Sequence, residues 1–463
     1  MKIKRGALVE LDVTDLAFGG RGLVKVDGMA VFVEGAVPGD RVLARITKKK
    51  KQYAEARTQA LISPSLDRIE PVCAYAGYCG GCKWPFLSYE KQLHYKTAQV
   101  ADTLAHIGGI TEVTVHPALA SPRTMGYRNK MEFSCTDRRW LLPSEMNRDP
   151  QPEAGFGLGL HVPGTFNKVI DIHTCHLMPE TGNQILAFIR KAMLASGKPA
   201  YGLKDHEGFW RFAMLRHSVS SDQWMVNLVT KETDFDTLKP IAEALVAAFP
   251  EVVSVINTVT ARKAGVAIGE SEHLLAGESV IIDQLGAYTY EISAGSFFQT
   301  NTRGAENLYA VVSAYAQLTG NERVVDLYSG TGTIPIWLSE KAGEVIGMEI
   351  IESAVTDAKR NCERNGVTNC RFACGDIRDV LPGLGMTPDL MIIDPPRVGM
   401  HKDVVTTVLT LSPARIVYVS CNPATLARDL LALKARYDVL EVQPVDMFPH
   451  TYHIEAVAHL QLR

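Results

Sequence analysis

One cysteine sits where a strand breaks. In Ile416-Val-Tyr-Val-Ser-Cys-Asn-Pro-Ala-Thr425 the apolar run reads as a buried strand and Ser420-Cys421-Asn422-Pro423 interrupts it. A helical pattern from Ala424 to Arg436 follows. A thiol at the carboxyl end of a strand lies where open α/β folds gather their chemistry. Once deprotonated it is a nucleophile. A buried structural cysteine is the bland alternative; the Asn-Pro break and the missing apolar continuation argue against it. Farther on, Pro449-His-Thr-Tyr-His-Ile-Glu455 offers three candidate bases. Glu455 is one; His450 and His453 compete, with unperturbed pKa values better suited to neutral pH.

The elements that must position these groups begin near residue 296, where strand and helix alternate as in a doubly wound sheet. Arg323-Val-Val-Asp-Leu-Tyr-Ser-Gly-Thr-Gly-Thr333 is a strand running into Gly330-x-Gly332 and then a helix. Such glycines let backbone approach a ligand closely. A dinucleotide fingerprint would need Gly or Ala at 335, where Pro335 stands. Asp326, just before the loop, suits a cationic, phosphate-free cofactor end. Val345-Ile-Gly-Met-Glu349 ends in an acid nineteen positions after Gly330, a spacing that suits ribose hydroxyls. Further units end at Gly375-Asp376 and at Asp394-Pro-Pro-Arg397. A nucleoside cofactor bound without pyrophosphate points to S-adenosylmethionine.

A second chemical centre is suggested by Cys73-x5-Cys79-x2-Cys82 on a glycine-rich loop. Three thiols this close can wrap one metal centre. Cys175, in Ile172-His-Thr-Cys-His-Leu177, is the best fourth ligand. Four thiolates suit zinc or an iron–sulfur cluster, and His173 or His176 would replace Cys175 in a zinc site. Cys135 reads as structural.

Residues 1–62 read as a small oligonucleotide-binding type β-barrel of five short strands. Lys48-Lys-Lys-Lys51, with Arg41, Arg45 and Arg57, is the most basic patch and suits phosphate contacts; a solvated loop is the alternative. Residues 63–295 form a central α+β domain. There Arg128 and Lys130 are expected on one strand face, and Phe209-Trp-Arg-Phe-Ala-Met-Leu-Arg-His217 mixes rings and cations, as RNA-stacking surfaces and ordinary cores both do. Composition sets outer limits. The chain has 463 residues, 46% hydrophobic and 21% charged, with a formal net charge of -3. That charge does not advertise nucleic-acid binding, so any such role rests on local patches. No apolar run approaches the roughly 20 residues of a membrane span. Met1-Lys-Ile-Lys-Arg5 lacks an apolar segment behind it, so no signal peptide is expected. Nine cysteines then point to reduced thiols, metal or catalysis in a cytoplasmic protein. A monomer is expected.

Phe297-Phe-Gln-Thr-Asn301, Asp326-Leu-Tyr-Ser-Gly-Thr-Gly332, Asp394-Pro-Pro-Arg397, Ser420-Cys-Asn-Pro423 and His453-Ile-Glu455 together resemble the RNA uracil-5-methyltransferase family. Leu16-Ala-Phe-Gly-Gly-Arg-Gly-Leu23 with Val33-Glu-Gly-Ala-Val-Pro-Gly-Asp40 resembles its RNA-binding TRAM domain. The cysteine set is similar to that of the ribosomal-RNA branch. The resemblance implies a C-terminal Rossmann-like methyltransferase domain over 296–463, with about 91–124 packed on it. It implies a 4Fe–4S cluster on Cys73, Cys79, Cys82 and Cys175, and S-adenosylmethionine contacts from Gln299, Tyr328, Glu349 and Asp394, to which Asp376 is added for adenine. It favours Glu455 as the base beside the nucleophile Cys421. The expected reaction is methylation of uracil carbon 5 in 23S ribosomal RNA. A transfer-RNA target, a non-catalytic RNA-binding iron–sulfur protein and an amine N-methyltransferase are the rivals; Asp-Pro-Pro-Arg differs from the Asn-Pro-Pro-aromatic signature of the last.

Overall fold

Alternation of apolar and polar residues closes the N-terminal runs around a small core of Val9, Leu11, Val24, Val31, Val33, Val42 and Ile46. The computed structural model describes residues 3–203, 205–263 and 269–463. It gives this region six strands rather than the five counted from sequence. Their order is Leu8–Asp12, Arg41–Lys49, Tyr53–Ser63, Met29–Glu34, Arg21–Val26, Asp15–Ala17. Asp15–Ala17 is too short to carry a pattern; it is a strand because the Phe18-Gly19-Gly20 turn folds it back on Arg21–Val26.

The central domain is a seven-stranded sheet with helices Glu180–Ala195 and Phe235–Ala248. Its strand Trp210–His217 is buried at all eight positions. The mixed rings and cations there are core: Arg211 Nη1 donates to the carbonyls of Thr260 and Arg262, each at 2.7 Å. Cys135 is buried beside Met193. Arg128 lies just ahead of the strand Lys130–Thr136 rather than on its face, its N–H donating to Leu177 O at 2.8 Å.

Eight strands make the third sheet, in the order Cys370–Cys374, Glu344–Glu349, Arg323–Leu327, Leu390–Ile393, Arg415–Ser420, Glu455–Leu462, Tyr437–Val445, Thr114–Val115. The first five run parallel. Chain order reverses between Arg323–Leu327 and Leu390–Ile393, the switch point at which such sheets bind ligands. Thr114–Val115 reaches this sheet from far upstream, parallel to Tyr437–Val445. The helix before it, Tyr89–His106, lays Val100 and Leu104 into the same core as Leu426 and Leu430 of the helix Pro423–Leu433. Lys96 of that helix forms an ion pair with Asp446 at 2.6 Å, both side chains fully buried. Stranding one partner of such a pair costs about 3–5 kcal/mol, which ties the upstream helix to the segment leading into Glu455. Among the described residues no helix is long and apolar enough to cross a membrane.

Candidate active site

Strand register brings the nucleophile and the acid together. Arg415–Ser420 pairs antiparallel with Glu455–Leu462, Ser420 facing Ala456. Cys421 directly follows Ser420 and Glu455 directly precedes Ala456, and the two lie close enough for the Glu455 charge to act on the thiol. The Asn-Pro break has a local cause. Asn422 caps the helix Pro423–Leu433, its side chain accepting from Ala424 N at 3.1 Å, with proline in the first turn. The other end of the Asn422 amide donates to Arg397 O at 3.0 Å. The cap therefore also fixes the Asp394–Arg397 loop against the thiol.

Burial dominates the electrostatics. The Glu455 carboxyl is held well above the usual carboxylate range, first by desolvation and then by Asp394, with Arg397 opposing. Asp394 opens partly to the crevice, yet the protein packed around it pushes its carboxyl up to about 7. Burial pushes the Cys421 thiol up to about 11; Glu455 adds to this, and Arg397 works against it by charge and by hydrogen bonding. Arg397 is the functional residue that sequence reasoning missed. Its signal was a cation inside the Asp394-Pro-Pro-Arg397 motif, but its contact with the thiol is tertiary.

The competing histidines stand apart from each other, His453 beside Arg397 and His450 at the cysteine cavity. His453 Nδ1 accepts from Arg397 at 3.3 Å, and burial with the nearby cations Arg397, Arg128 and Lys96 lowers it to about 4. His450, at φ 66°, has its ring Nδ1 3.3 Å from Gln92 Nε2 and lines the cysteine cavity.

Tyr328, Glu349, Asp376 and Asp394 lie at the ends of the parallel strands, and Gln299 just ahead of the helix Thr302–Ala316. Glu349 accepts from Gly330 N at 3.0 Å and from Ile350 N and Ile351 N at 2.8 and 2.9 Å. Gln299 is anchored through its carbonyl by Asn129 Nδ2 at 2.7 Å, and Thr331 Oγ1 ties the adjoining Phe297 carbonyl to the glycine loop at 3.1 Å. Tyr328 and Asp376 line a separate cavity of about 890 Å³ with Ile350, Pro396, His401 and Arg428. Burial pushes the Tyr328 phenol up to about 12. Asp376 is bound by Arg378, two residues away, at 2.6 Å, which brings its carboxyl down to about 2; an adenine contact would have to share it with that guanidinium. Gly332, at φ +78°, has no room for a side chain, since a Cβ would stand 2.9 Å from the Phe372 ring. Asp326 is buried, and neither of its carboxylate oxygens has a hydrogen-bond partner among the described residues. An orphaned acid flanked by Asp394 and Glu349 fits a cofactor that brings positive charge, as a sulfonium with an α-amino group does.

Cys73, Cys79, Cys82 and Cys175 all line one cavity of about 320 Å³, with Arg128 and His176. Burial raises the thiols, Cys79 to about 11 and Cys82 to about 12. His173 is mostly exposed and turned to Asp171 at 3.1 Å, so it is not a ligand here. Zinc would draw sulfurs to about 2.3 Å from one point. Among the described residues no three His, Cys, Asp or Glu side chains are gathered to hold a metal ion. Four thiols lining one cavity beside the desolvated Arg128 guanidinium are a donor set that suits zinc or an iron–sulfur cluster alike.

Comparison with known proteins finds likeness along nearly the whole chain. Residues 386–463 match the tRNA (uracil-5-)-methyltransferase family, 318–420 a methyltransferase domain, and 2–58 the TRAM domain. An uncharacterized RNA methyltransferase of Chlorobaculum tepidum is 45% identical over 99% of this chain and 97% of its own length. One from Porphyromonas gingivalis is 41% identical over 97% of this chain and 99% of its own. Among solved structures, the Pyrococcus abyssi tRNA (uracil-54, C5)-methyltransferase in complex with S-adenosyl-L-homocysteine superposes with a TM-score of 0.76 at 29% identity, covering 98% of this chain and 100% of that one.

Proposed function

The chain belongs to the RNA uracil-5-methyltransferase family, and from that premise we propose that it methylates carbon 5 of a uridine in 23S ribosomal RNA, with Cys421 as nucleophile and Glu455 as base. The observation that carries this reading is a thiol and a desolvated carboxyl brought near each other at the ends of two paired antiparallel strands. Carbon 5 of uracil is too weak a nucleophile by itself. The Cys421 thiolate adds to carbon 6, and the ring electrons pass to the carbon 4 oxygen as an enolate, which makes carbon 5 nucleophilic. S-adenosylmethionine, when bound, supplies the methyl group that carbon 5 takes. Glu455 then accepts the carbon 5 proton, the double bond re-forms and the carbon 6–sulfur bond breaks. A carboxyl with raised proton affinity suits that last task. Gln299, Tyr328, Glu349, Asp376 and Asp394 hold the cofactor in this reading, and Arg397 stabilises the thiolate. The target base must leave its stack to reach them.

The ribosomal target rests on the likeness of the cysteine set to the ribosomal branch. Transfer RNA is the second reading, favoured by the likeness to the Pyrococcus abyssi enzyme. Because that likeness covers 98% of this chain, the front sheet does not by itself separate the two targets. Mapping 5-methyluridine in ribosomal and transfer RNA from a deletion strain tests both. Loss at a ribosomal uridine supports the proposal, loss confined to transfer RNA replaces it with the second reading, and unchanged 5-methyluridine in both defeats it.

The four cysteines hold a 4Fe–4S cluster in this reading, with Arg128 as a nearby cation. Anaerobically purified protein is expected to be brown and to carry about four irons. Cys175→Ala should lose most of that iron. Colourless protein with one zinc, or full iron without the Cys175 thiol, would remove the assignment.

A further inference from the structure

A path of rings leads out of the catalytic pocket, and no role assigned above uses it. Beyond Arg397 and His453 lies Tyr452, its ring centroid 4.1 Å from that of His453. Phe18, at the turn between the first two short strands of the N-terminal sheet's edge, meets Tyr452 edge to face at 5.7 Å. Tyr452 stands three residues before Glu455, so their Cα atoms are at most about 11 Å apart.

The turn that bears Phe18 is docked by its neighbours. Leu16 and Val37 are buried with Trp84 and Leu87, and Gln99 Nε2 donates to Leu16 O at 3.2 Å. A Cβ on Gly20 would stand 2.9 Å from Lys83 Cβ, so the turn lies directly on the end of the cysteine loop. Phe18 itself stays 43% exposed. Tyr452 packs against the same cluster, so the turn is docked by groups other than Phe18, whose ring keeps part of its surface open. The same sheet carries a second ring pair on its outward face. Phe32 and Tyr53 meet at 5.8 Å, with Arg21 over Phe32 at 5.1 Å and Lys48 over Tyr53 at 5.9 Å. Ring faces flanked by cations are how proteins track a single strand.

We propose that Phe18 and Tyr452 stack a nucleotide adjoining the target uridine, and that the strand continues onto the Phe32–Tyr53 face. The proposal rests on the RNA reading above. A uridine leaving its stack deprives its neighbour of a partner, and these rings supply one. Methyl transfer to RNA from a deletion strain, and to oligonucleotides of the mapped site, tests it. Phe18→Ala should raise the KM for RNA about tenfold, as loss of one base–aromatic stack does, with kcat and the Kd for S-adenosylmethionine moving less than twofold. Phe18→Trp should restore the KM. Phe18→Leu keeps apolar packing on Tyr452 but has no ring face, so it should behave like Phe18→Ala. Removing the base on one side of the uridine should cost the unaltered enzyme the same factor and Phe18→Ala nothing more. A leucine variant equal to the unaltered enzyme, or an abasic penalty that is the same in both, overturns the stacking role. An unaltered enzyme that methylates no uridine in that RNA overturns the RNA reading itself.

Discussion

Cys421→Ala is expected to abolish methyl transfer to carbon 5, a loss on the order of 10⁴-fold or more, as when a covalent nucleophile is removed. The Kd for S-adenosylmethionine should move less than twofold, because Gln299, Glu349 and Asp376 have their hydrogen bonds with groups other than the thiol. Transfer of label from the cofactor to unmodified RNA measures the first quantity and calorimetry the second. Retained activity at even one part in a hundred would mean that carbon 5 is activated some other way. The pH dependence has a definite sign. The thiol, pushed up to about 11 by burial, must lose its proton to attack, so the rate should climb from neutral pH into the alkaline range. Arg397 opposes that upward push. Arg397→Met should therefore move the rising limb to higher pH, whereas a purely structural Arg397 would lower the rate without moving it.

Glu455→Gln should leave addition and methylation possible and block release. The expected result is turnover reduced about 10²–10⁴-fold, the usual contribution of a positioned base, with protein and RNA migrating as one band on a denaturing gel. Fold stability should be little affected. Burial already favours the uncharged carboxyl, and glutamine has the same shape. As a base the carboxyl must be ionised, so its active fraction also increases with pH, in the same sense as the thiol. If His453 or His450 removed the proton, Glu455→Gln would release product at a near-normal rate and no adduct would accumulate.

Much of the site was readable because its causes are local. Ser420-Cys421-Asn422-Pro423 announces a strand end and a helix cap within four residues, and capping chemistry needs no distant partner. Gly330 and Gly332 were readable for the same reason. What escaped depends on contacts between remote segments. Arg397 matters through a thiol 24 residues later in the chain. Asp376 stands at the end of a strand-and-helix unit, but that position does not show that Arg378 has already taken its carboxylate. Lys48 and Lys49 read as free cations in a basic run, while Lys48 pairs with Glu55 at 3.2 Å and Lys49 donates to Ile3 O at 2.8 Å. The rings and cations of Trp210–His217 follow the same pattern on a surface as in a core, and only the layers packed around that strand decide the matter. The outermost strand of the catalytic sheet is two residues long, below any periodicity that a sequence can display.

That two-residue strand bears on how the protein is made. Thr114–Val115 finds its partner only in Tyr437–Val445, and Lys96 finds Asp446. Both partners leave the ribosome roughly 330 residues later, about 15–65 s at ordinary rates of synthesis. Until Leu426 and Leu430 are made, at least about 320 residues after it, Val100 lacks that part of the core it shares with Leu104. The helix that carries them must wait, exposed or held by a chaperone, while the central domain folds ahead of it. The catalytic half is therefore not a unit that can be cut out at residue 296: its own edge was synthesised before the domain that interrupts it.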